Sequence, residues 1–312
     1  MDVFQAAEVV ELRPGRRVLL LHHKANGTAS ARLLFCHGSM ASMRQYRACI
    51  EYARGRGDCD IIAYDWLGCG GSEKPRDWDA YSTPNLLLDL EAAYCRLLKD
   101  GSRSTPSILV GHSFGASLVT QLDAETRSAL ANDIFECSDS NDSALLPAPS
   151  ALCLMSTGDG EGLGGGLAVF YLPEFGLRML QPTMTSAFAK SALHPGTKET
   201  VQRESLAVSE ANEMHVCKAF YRQIQWRDPA AAKGAGPALC IHGDSDGVIP
   251  LEQGRRVASQ FDQAAFHVVE RASHQVMEEQ PEATVDLLGR LIDNVIAGGD
   301  FLQGFDKIES IG

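Results

Sequence analysis

The sequence predicts an α/β fold with a mostly parallel sheet, and three observations predict it. Short apolar runs recur along the 312 residues, Gly, Pro or Asp bounds them, and segments of helical periodicity separate them. Apolar runs without polar alternation suit strands covered on both faces. Their alternation with helices calls for a sheet flanked on both sides. The runs are Arg17–His23, then, after the turn-forming pair Asn26-Gly27, Arg32–Cys36, Cys59–Tyr64, Ser107–Gly111, Ser150–Met155, Pro237–Ile241 and Ala265–Val269. Helices are predicted over Pro84–Lys99, where Leu86, Leu90, Ala93 and Leu97 share one face, and over Phe114–Leu130, Leu251–Phe261 and Pro281–Ile296.

The alternation breaks at residues 157–228. No β-branched apolar run occurs there, and the glycine-rich Gly158–Gly166 leads into helix-like segments rich in Phe, Tyr, Met and Leu. This predicts a core formed by residues 1–156 and 229–312, with residues 157–228 inserted as a helical cap. Gly158–Gly166 suits a hinge for lid movement or a simple link. Glu136–Pro149 reads as an exposed loop, and Phe301–Gly312 as a loosely held end.

The formal charge of −12 argues against general binding to polyanionic nucleic acid. The nine cysteines show no CxxC spacing, which leaves zinc and dithiol redox sites without support and fits reduced thiols. The beginning of the chain, DVFQAAEVVEL after Met1, lacks a basic region and a long apolar region, so no secretory signal is expected. No apolar stretch is long enough to span a bilayer. The expectation is a cytoplasmic protein, with oligomeric state left open.

Chemistry concentrates at Gly111-His112-Ser113-Phe114-Gly115, a G-x-S-x-G pattern set between a predicted strand and a predicted helix. In that context the chain turns sharply and lifts Ser113 to the apex. Gly111 and Gly115 are small where the backbones converge. A serine hydroxyl needs a base. Of the nine histidines, His22, His23 and His267 read as strand residues, and His194 and His215 fall in the insertion. His274 follows the last predicted strand. It therefore shares with Ser113 the rim formed by the carboxyl ends of parallel strands, where such sheets place their sites. The base needs a carboxylate to fix its tautomer. Asp246 and Asp244, both after Pro237–Ile241, are candidates that spacing does not separate; Asp159 is a third. An oxyanion needs two amide donors. Phe114 supplies one, and Ser39, in the loop His37-Gly38-Ser39-Met40, the other.

These stretches together resemble the α/β-hydrolase superfamily, in its lid-bearing ABHD-like branch, over residues 32–293. The resemblance rests on FCHGS at 35–39, YDWLGCGGS at 64–72, GHSFGA at 111–116, HGDSDGVIP at 242–250 and SHQVMEEQPE at 273–282. It implies an α/β-hydrolase fold with an eight-stranded, mostly parallel sheet and a helical cap inserted after the sixth strand. It implies an oxyanion loop at 35–39, a turn without a catalytic role for Asp65, and His274 as base. The family's G-x-x-D pattern, with Pro four residues on, matches Gly243, Asp246 and Pro250, which favours Asp246 over Asp244. Two departures stand out. Glu279 occupies the place where some lipid-directed relatives carry Asp, and Ser113 replaces the Asp nucleophile of relatives that cleave epoxides or carbon–halogen bonds.

The expected activity is hydrolysis of a small-molecule carboxylic ester by a Ser113–His274–Asp246 triad, lipase-like in that the cap favours apolar acyl groups. Such chemistry requires no metal or organic cofactor. The same triad acting on a carbon–carbon bond beside a ketone is one rival; a non-catalytic binding protein on this fold is the other. Twelve apolar cap residues, from Phe170 to Tyr221, are expected for the most part to pack the cap's own core.

Overall fold

The computed structural model describes residues 2–99, 102, 104–132, 146–161, 167–226 and 229–308. The strands are β1 (Glu8–Arg13), β2 (Arg16–His23), β3 (Ala31–Cys36), β4 (Cys59–Tyr64), β5 (Ser107–His112), β6 (Ala151–Met155), β7 (Ala238–Gly243), β8 (Ala264–Val269) and β9 (Lys307–Ile308). They form one sheet in the order β1-β2-β4-β3-β5-β6-β7-β8-β9. Strands β3 to β8 run parallel, β1 and β2 are antiparallel, and β9 adds an antiparallel two-residue edge to the eight-stranded sheet.

Every residue of β3, β4, β5, β6 and β7 is buried, as unbroken apolar runs require. The helices are α1 (Arg47–Arg56), α2 (Thr83–Leu98), α3 (Phe114–Asn132), α4 (Glu174–Ala192), α5 (Glu199–Glu210), α6 (Met214–Tyr221), α7 (Leu251–Ala258), α8 (Val276–Glu279) and α9 (Pro281–Ala297). One face of the sheet is covered by α1 and α9, through residues such as Ile50, Leu288 and Ile292. The other is covered by α2, α3 and α7, through Leu90, Val119 and Val257. Strand β1 escapes a reading based on apolar runs because half of it is exposed and it carries Glu8, Glu11 and Arg13.

Helices α4, α5 and α6 are the insertion between β6 and β7. Only part of their apolar surface forms a core. Phe170, Leu177, Met214 and Phe220 are buried, whereas Tyr171 (70%), Phe175 (70%) and Met179 (78%) stand exposed with Leu172, Leu180 and Phe188. The expectation that most of these side chains pack inward is corrected, because only one side of α4 meets the rest of the cap.

Two further expectations are corrected. The expected loose end is held as far as residue 308: Leu302 is buried, and Ala264 and Ala265 of β8 pair with Ile308 and Lys307. The end of the 136–149 segment is not an exposed loop. Leu146 and Pro149 are buried, Tyr94 donates to the Pro147 carbonyl and Arg127 to that of Pro149. Residues 136–145 lie outside the described residues, as do 162–166 of the glycine-rich segment and 309–312. Among the described residues, eight cysteines are buried, and no helix is long and apolar enough to cross a membrane.

Candidate active site

Ser113 sits between the end of β5 and the start of α3. Its φ is +53°, a left-handed conformation that a residue with a Cβ adopts only under constraint. The constraint is visible on both sides of it. The Ser113 amide donates to the Met155 carbonyl of β6 at 2.9 Å, and its carbonyl accepts from Ala116 at 3.0 Å. A Cβ on Gly111 would fall 2.6 Å from the Ala116 Cα, and one on Gly115 would fall 2.3 Å from the His37 oxygen. The elbow therefore closes only with glycine at both places, and Gly115 lets α3 lie directly on the loop after β3.

That loop is fixed through His37. The Trp66 amide donates to His37 Nε2 at 2.9 Å, so the ring proton is on Nδ1, which donates to the Gly38 carbonyl at 2.7 Å. Burial lowers the His37 pKa, which keeps the ring neutral. The Gly38 carbonyl also accepts from Ala41 at 3.2 Å. Because the peptide is planar and trans, the Ser39 N–H points the opposite way. A Cβ on Gly38 would lie 3.4 Å from the Ser113 Cβ, so this loop abuts the serine. Among the described residues, nothing accepts from the amides of Ser39 or Phe114. The Phe114 ring is buried among Trp66, Phe220 and Trp226 at centroid distances of 6.1, 5.6 and 5.3 Å, which anchors the start of α3.

His274 and Asp246 come together from the loops after β8 and β7. His274 Nδ1 donates to Asp246 Oδ2 at 2.9 Å, with both side chains buried. The other oxygen, Oδ1, accepts the Val248 and Ile249 amides, each at 2.8 Å. His242 Nε2 lies 3.4 Å from Oδ2 while donating to the Ile249 carbonyl at 3.0 Å. Burial pushes the Asp246 carboxyl up, but the His274 ring, His242 and the Ile249 amide outweigh it and hold its pKa below the usual carboxylate value. Asp244 is exposed and turned to Ser245 and the Arg271 amide, and Asp159 pairs with Arg256. Of the three carboxylates the sequence offered, the structure brings only Asp246 to His274. The Asp65 carboxylate is spent on the Ser42 hydroxyl and the Met43 and Gly71 amides, which makes it a clamp for its turn.

Ser113 and His274 line one cavity of about 800 Å³, with Ser39 and His112 beside them. Among the described residues, neither the Ser113 hydroxyl nor His274 Nε2 has a hydrogen-bond partner, and the two are not bonded to each other. Hydrogen bonds of this kind are often open in structures without substrate. The cavity wall is largely apolar, with Val169, Phe170, Met184, Phe188 and Trp226 from the insertion and its ends.

The sequence profile of the alpha/beta hydrolase family matches residues 33–287. The chain belongs to the alpha/beta hydrolase family. Among curated proteins it is similar to protein ABHD8 of Mus musculus, 26% identical over 263 residues, covering 82% of this chain and 54% of that protein. The chain thus spans about half the length of the first curated relatives it matches. It is also similar to the uncharacterized hydrolase YugF of Bacillus subtilis, 24% identical over 276 residues, covering 86% of this chain and 91% of that protein. Its fold is that of a putative aryl esterase from Burkholderia cenocepacia, with a TM-score of 0.72, 15% identity and coverage of 94% and 100% of the two chains.

In this alpha/beta hydrolase several groups around the site were not legible as such. His112 donates from Nε2 to the His274 carbonyl at 2.9 Å, and burial first, then the neighbouring His274, drives its pKa well below the usual value, so it stays a neutral prop. The last carbonyls of α4 serve both loops. Ala192 accepts the His274 and Gln275 amides at 3.0 and 3.3 Å, and Ser191 accepts the Gly247 amide at 3.2 Å and the Ser273 hydroxyl at 2.9 Å. Glu279 continues this seam, accepting the His194 amide and the Thr197 hydroxyl at 2.6 Å each and the Ser273 amide at 2.8 Å. From α6's approach, Asn212 donates to the Met40 carbonyl at 2.7 Å, reaching the loop after β3. Glu279 had a spacing signal; backbone carbonyls at a helix end carry none.

Proposed function

We propose that this chain is a serine hydrolase that cleaves carboxylic esters, with Ser113 as nucleophile, His274 as base and Asp246 as the acid. The observation that carries the reading is the buried Asp246–His274 pair beside the cavity that also holds a left-handed Ser113. As substrate enters, His274 Nε2 takes the Ser113 proton while Oγ attacks the ester carbonyl. Asp246 stays ionised, keeps the ring proton on Nδ1 and stabilises the imidazolium. The unpaired Ser39 and Phe114 amides receive the oxyanion. His274 then protonates the leaving alcohol, and an acyl-Ser113 ester remains. A water deprotonated by His274 attacks this ester, and the acid is released with Ser113 restored. Solved structures that share this fold include an esterase from Exiguobacterium antarcticum and the aryl esterase named above, which supports the reading.

The core in this proposal is 1–156 with 229–312, the cap is 157–228, and Gly111, His112 and Gly115 form the elbow. The apolar wall and volume of the cavity favour an apolar, lipid-like acyl group over a small polar one. A cytoplasmic location is part of the proposal. The test is labelling by a fluorophosphonate probe together with turnover of a chain-length series of activated esters. Wild type should label and hydrolyse, and Ser113→Ala should do neither. Labelling that persists in Ser113→Ala refutes the assignment.

A further inference from the structure

One end of the cavity is built differently from the rest. There the 3-10 turn Met43–Tyr46 packs on α8, and α5 brings Glu204 opposite. Gln45 is 5% exposed, and neither atom of its carboxamide has a hydrogen-bond partner, although the Tyr46 hydroxyl is its neighbour. Gln275 is 7% exposed, and its Oε1 also has none. Both line the cavity, as do Glu278 and Glu204. Among the described residues, no cation pairs with either carboxylate. The two arginines on the same wall are committed elsewhere. Arg44 and Arg47 pair with Asp2 at 3.3 and 2.7 Å and lie over the Phe4 ring.

Buried polar atoms left without partners are costly, and each such group asks for a donor or acceptor from a ligand. Here two buried carboxamide oxygens lack donors and the Gln45 NH2 lacks an acceptor, while the half-buried Glu278 and the exposed Glu204 carboxylates add negative charge beside them. An ammonium offers three donors and no acceptor, together with a positive charge that Arg44 and Arg47, held by Asp2, do not bring to these carboxylates. A hydroxyl offers one donor and no charge. An alkyl end leaves the acceptors unpaired.

We propose that this end of the cavity is a subsite for a protonated amine carried by the non-reacting part of the substrate, which makes the preferred substrate an amine-bearing ester. The inference rests on the ester-hydrolase reading for its connection to turnover, but the subsite itself is testable by binding alone. Burial, then Glu204 and Glu279, raise the Glu278 carboxyl to about 7, and a bound cation reverses that push.

Two measurements on the full chain test it. Calorimetry at about pH 8, where the carboxylate is ionised, compares linear alkylammonium ions with alkanols of equal length. The amine should bind at least about tenfold more tightly, as charge-assisted hydrogen bonds exceed neutral ones. Glu278→Gln should remove most of that preference. Steady-state turnover then compares activated esters of ω-amino, ω-hydroxy and plain alkanoic acids over several lengths. The amino-to-plain ratio of kcat/KM should exceed about ten in wild type and fall toward one in Glu278→Gln. Gln45→Met, which removes a different acceptor, should lower amine affinity severalfold and serves where Glu278→Gln does not fold. Equal binding of amine and alkanol, or a preference untouched by both substitutions, overturns the subsite. If plain esters are still cleaved through Ser113 in that case, the ester-hydrolase reading stands without it. If amine binding depends on Glu278 while no ester is cleaved, the subsite stands and the ester-hydrolase reading falls.

Discussion

Replacing Asp246 by Asn changes one atom of the site and separates its structural duties from its proposed catalytic one. The carboxylate holds the acid loop through Oδ1, which takes the Val248 and Ile249 amides at 2.8 Å each, and it holds the base through Oδ2 at 2.9 Å. An amide at this position keeps its oxygen for the two backbone donors, so the loop after β7 stays formed. Its NH2 then faces His274 Nδ1 and can be met only by a lone pair there. The ring proton moves to Nε2, and the nitrogen meant to take the Ser113 proton already carries one. In a serine protease triad the same exchange lowers kcat about 10⁴-fold. The buried geometry here is of the same kind, so the expected loss is 10³- to 10⁴-fold, about 4–5.5 kcal/mol of transition-state stabilisation. The assay is kcat for a short activated ester, with fluorophosphonate labelling rate and melting temperature measured on the same preparations. Activity within about tenfold of wild type, in a protein of unchanged melting temperature, refutes the tautomer argument.

Other expectations follow from the same geometry. Ser113→Gly relieves the left-handed strain at the elbow; it should be inactive yet more stable than Ser113→Ala by about 1 kcal/mol in chemical denaturation. Gly115→Ala places a methyl 2.3 Å from the His37 oxygen and should cost about 3 kcal/mol or more, read as a lower denaturation midpoint. Glu279→Ala removes the acceptor of three hydrogen bonds linking residues 194 and 197 to Ser273; it should lower both stability, by about 2–4 kcal/mol, and kcat, while Glu279→Gln retains part of each. The Glu278 carboxyl, raised to about 7 and faced by Glu204 and Glu279, with Arg44 and Arg47 held by Asp2 on the same wall, takes up a proton more readily when folded. Its contribution is therefore fully present below the unfolded value near 4 and is lost as pH rises through about 7. Because the group opens partly to the cavity, the loss is on the order of 2 kcal/mol. Glu278→Gln should flatten that part of the stability profile between about pH 4 and 7.

The elbow was legible because its steric demands reach the sequence directly: only glycine fits at 111 and 115, and only an unbroken apolar run fits between two helical layers. The acid was less legible. Asp244 and Asp246 lie two residues apart in one loop, and what separates them is which side of that loop turns toward β8, a property of backbone pairing such as Ser245 to Ala272. Strand β1 and helix α1 left weaker traces. The first is an exposed edge whose charged residues mask its alternation, and the second buries only Cys49, Ile50 and Ala53. The cap's apolar side chains were misjudged for a related reason. Composition cannot tell a helix face turned to a core from one turned outward, and Phe175 and Met179 lie on the outward side. The subsite around Gln45 and Gln275 was invisible, since polar residues without partners look in sequence like any solvated pair.

The contacts at the end of α4 bear on how substrate reaches Ser113. Four hydrogen bonds leave Ser191 and Ala192 for the acid and base loops, and Glu279 adds three more across the same seam. Carbonyls at a helix C-terminus also carry partial negative charge, which favours the imidazolium that the proposed mechanism forms beside them. Lifting the cap at this end would strip the His274 amide and the Gly247 amide of their partners together and disturb the pair they position. An entry motion compatible with catalysis therefore leaves the C-terminal end of α4 in place and displaces the opposite end. There Tyr171 and Phe175 are exposed, and the 3-10 turn Ala168–Tyr171 follows the glycine-rich segment in sequence. A cross-link that ties residue 191 to residue 247 should then leave turnover intact, whereas one that fixes the start of α4 to the core should suppress turnover of long esters first.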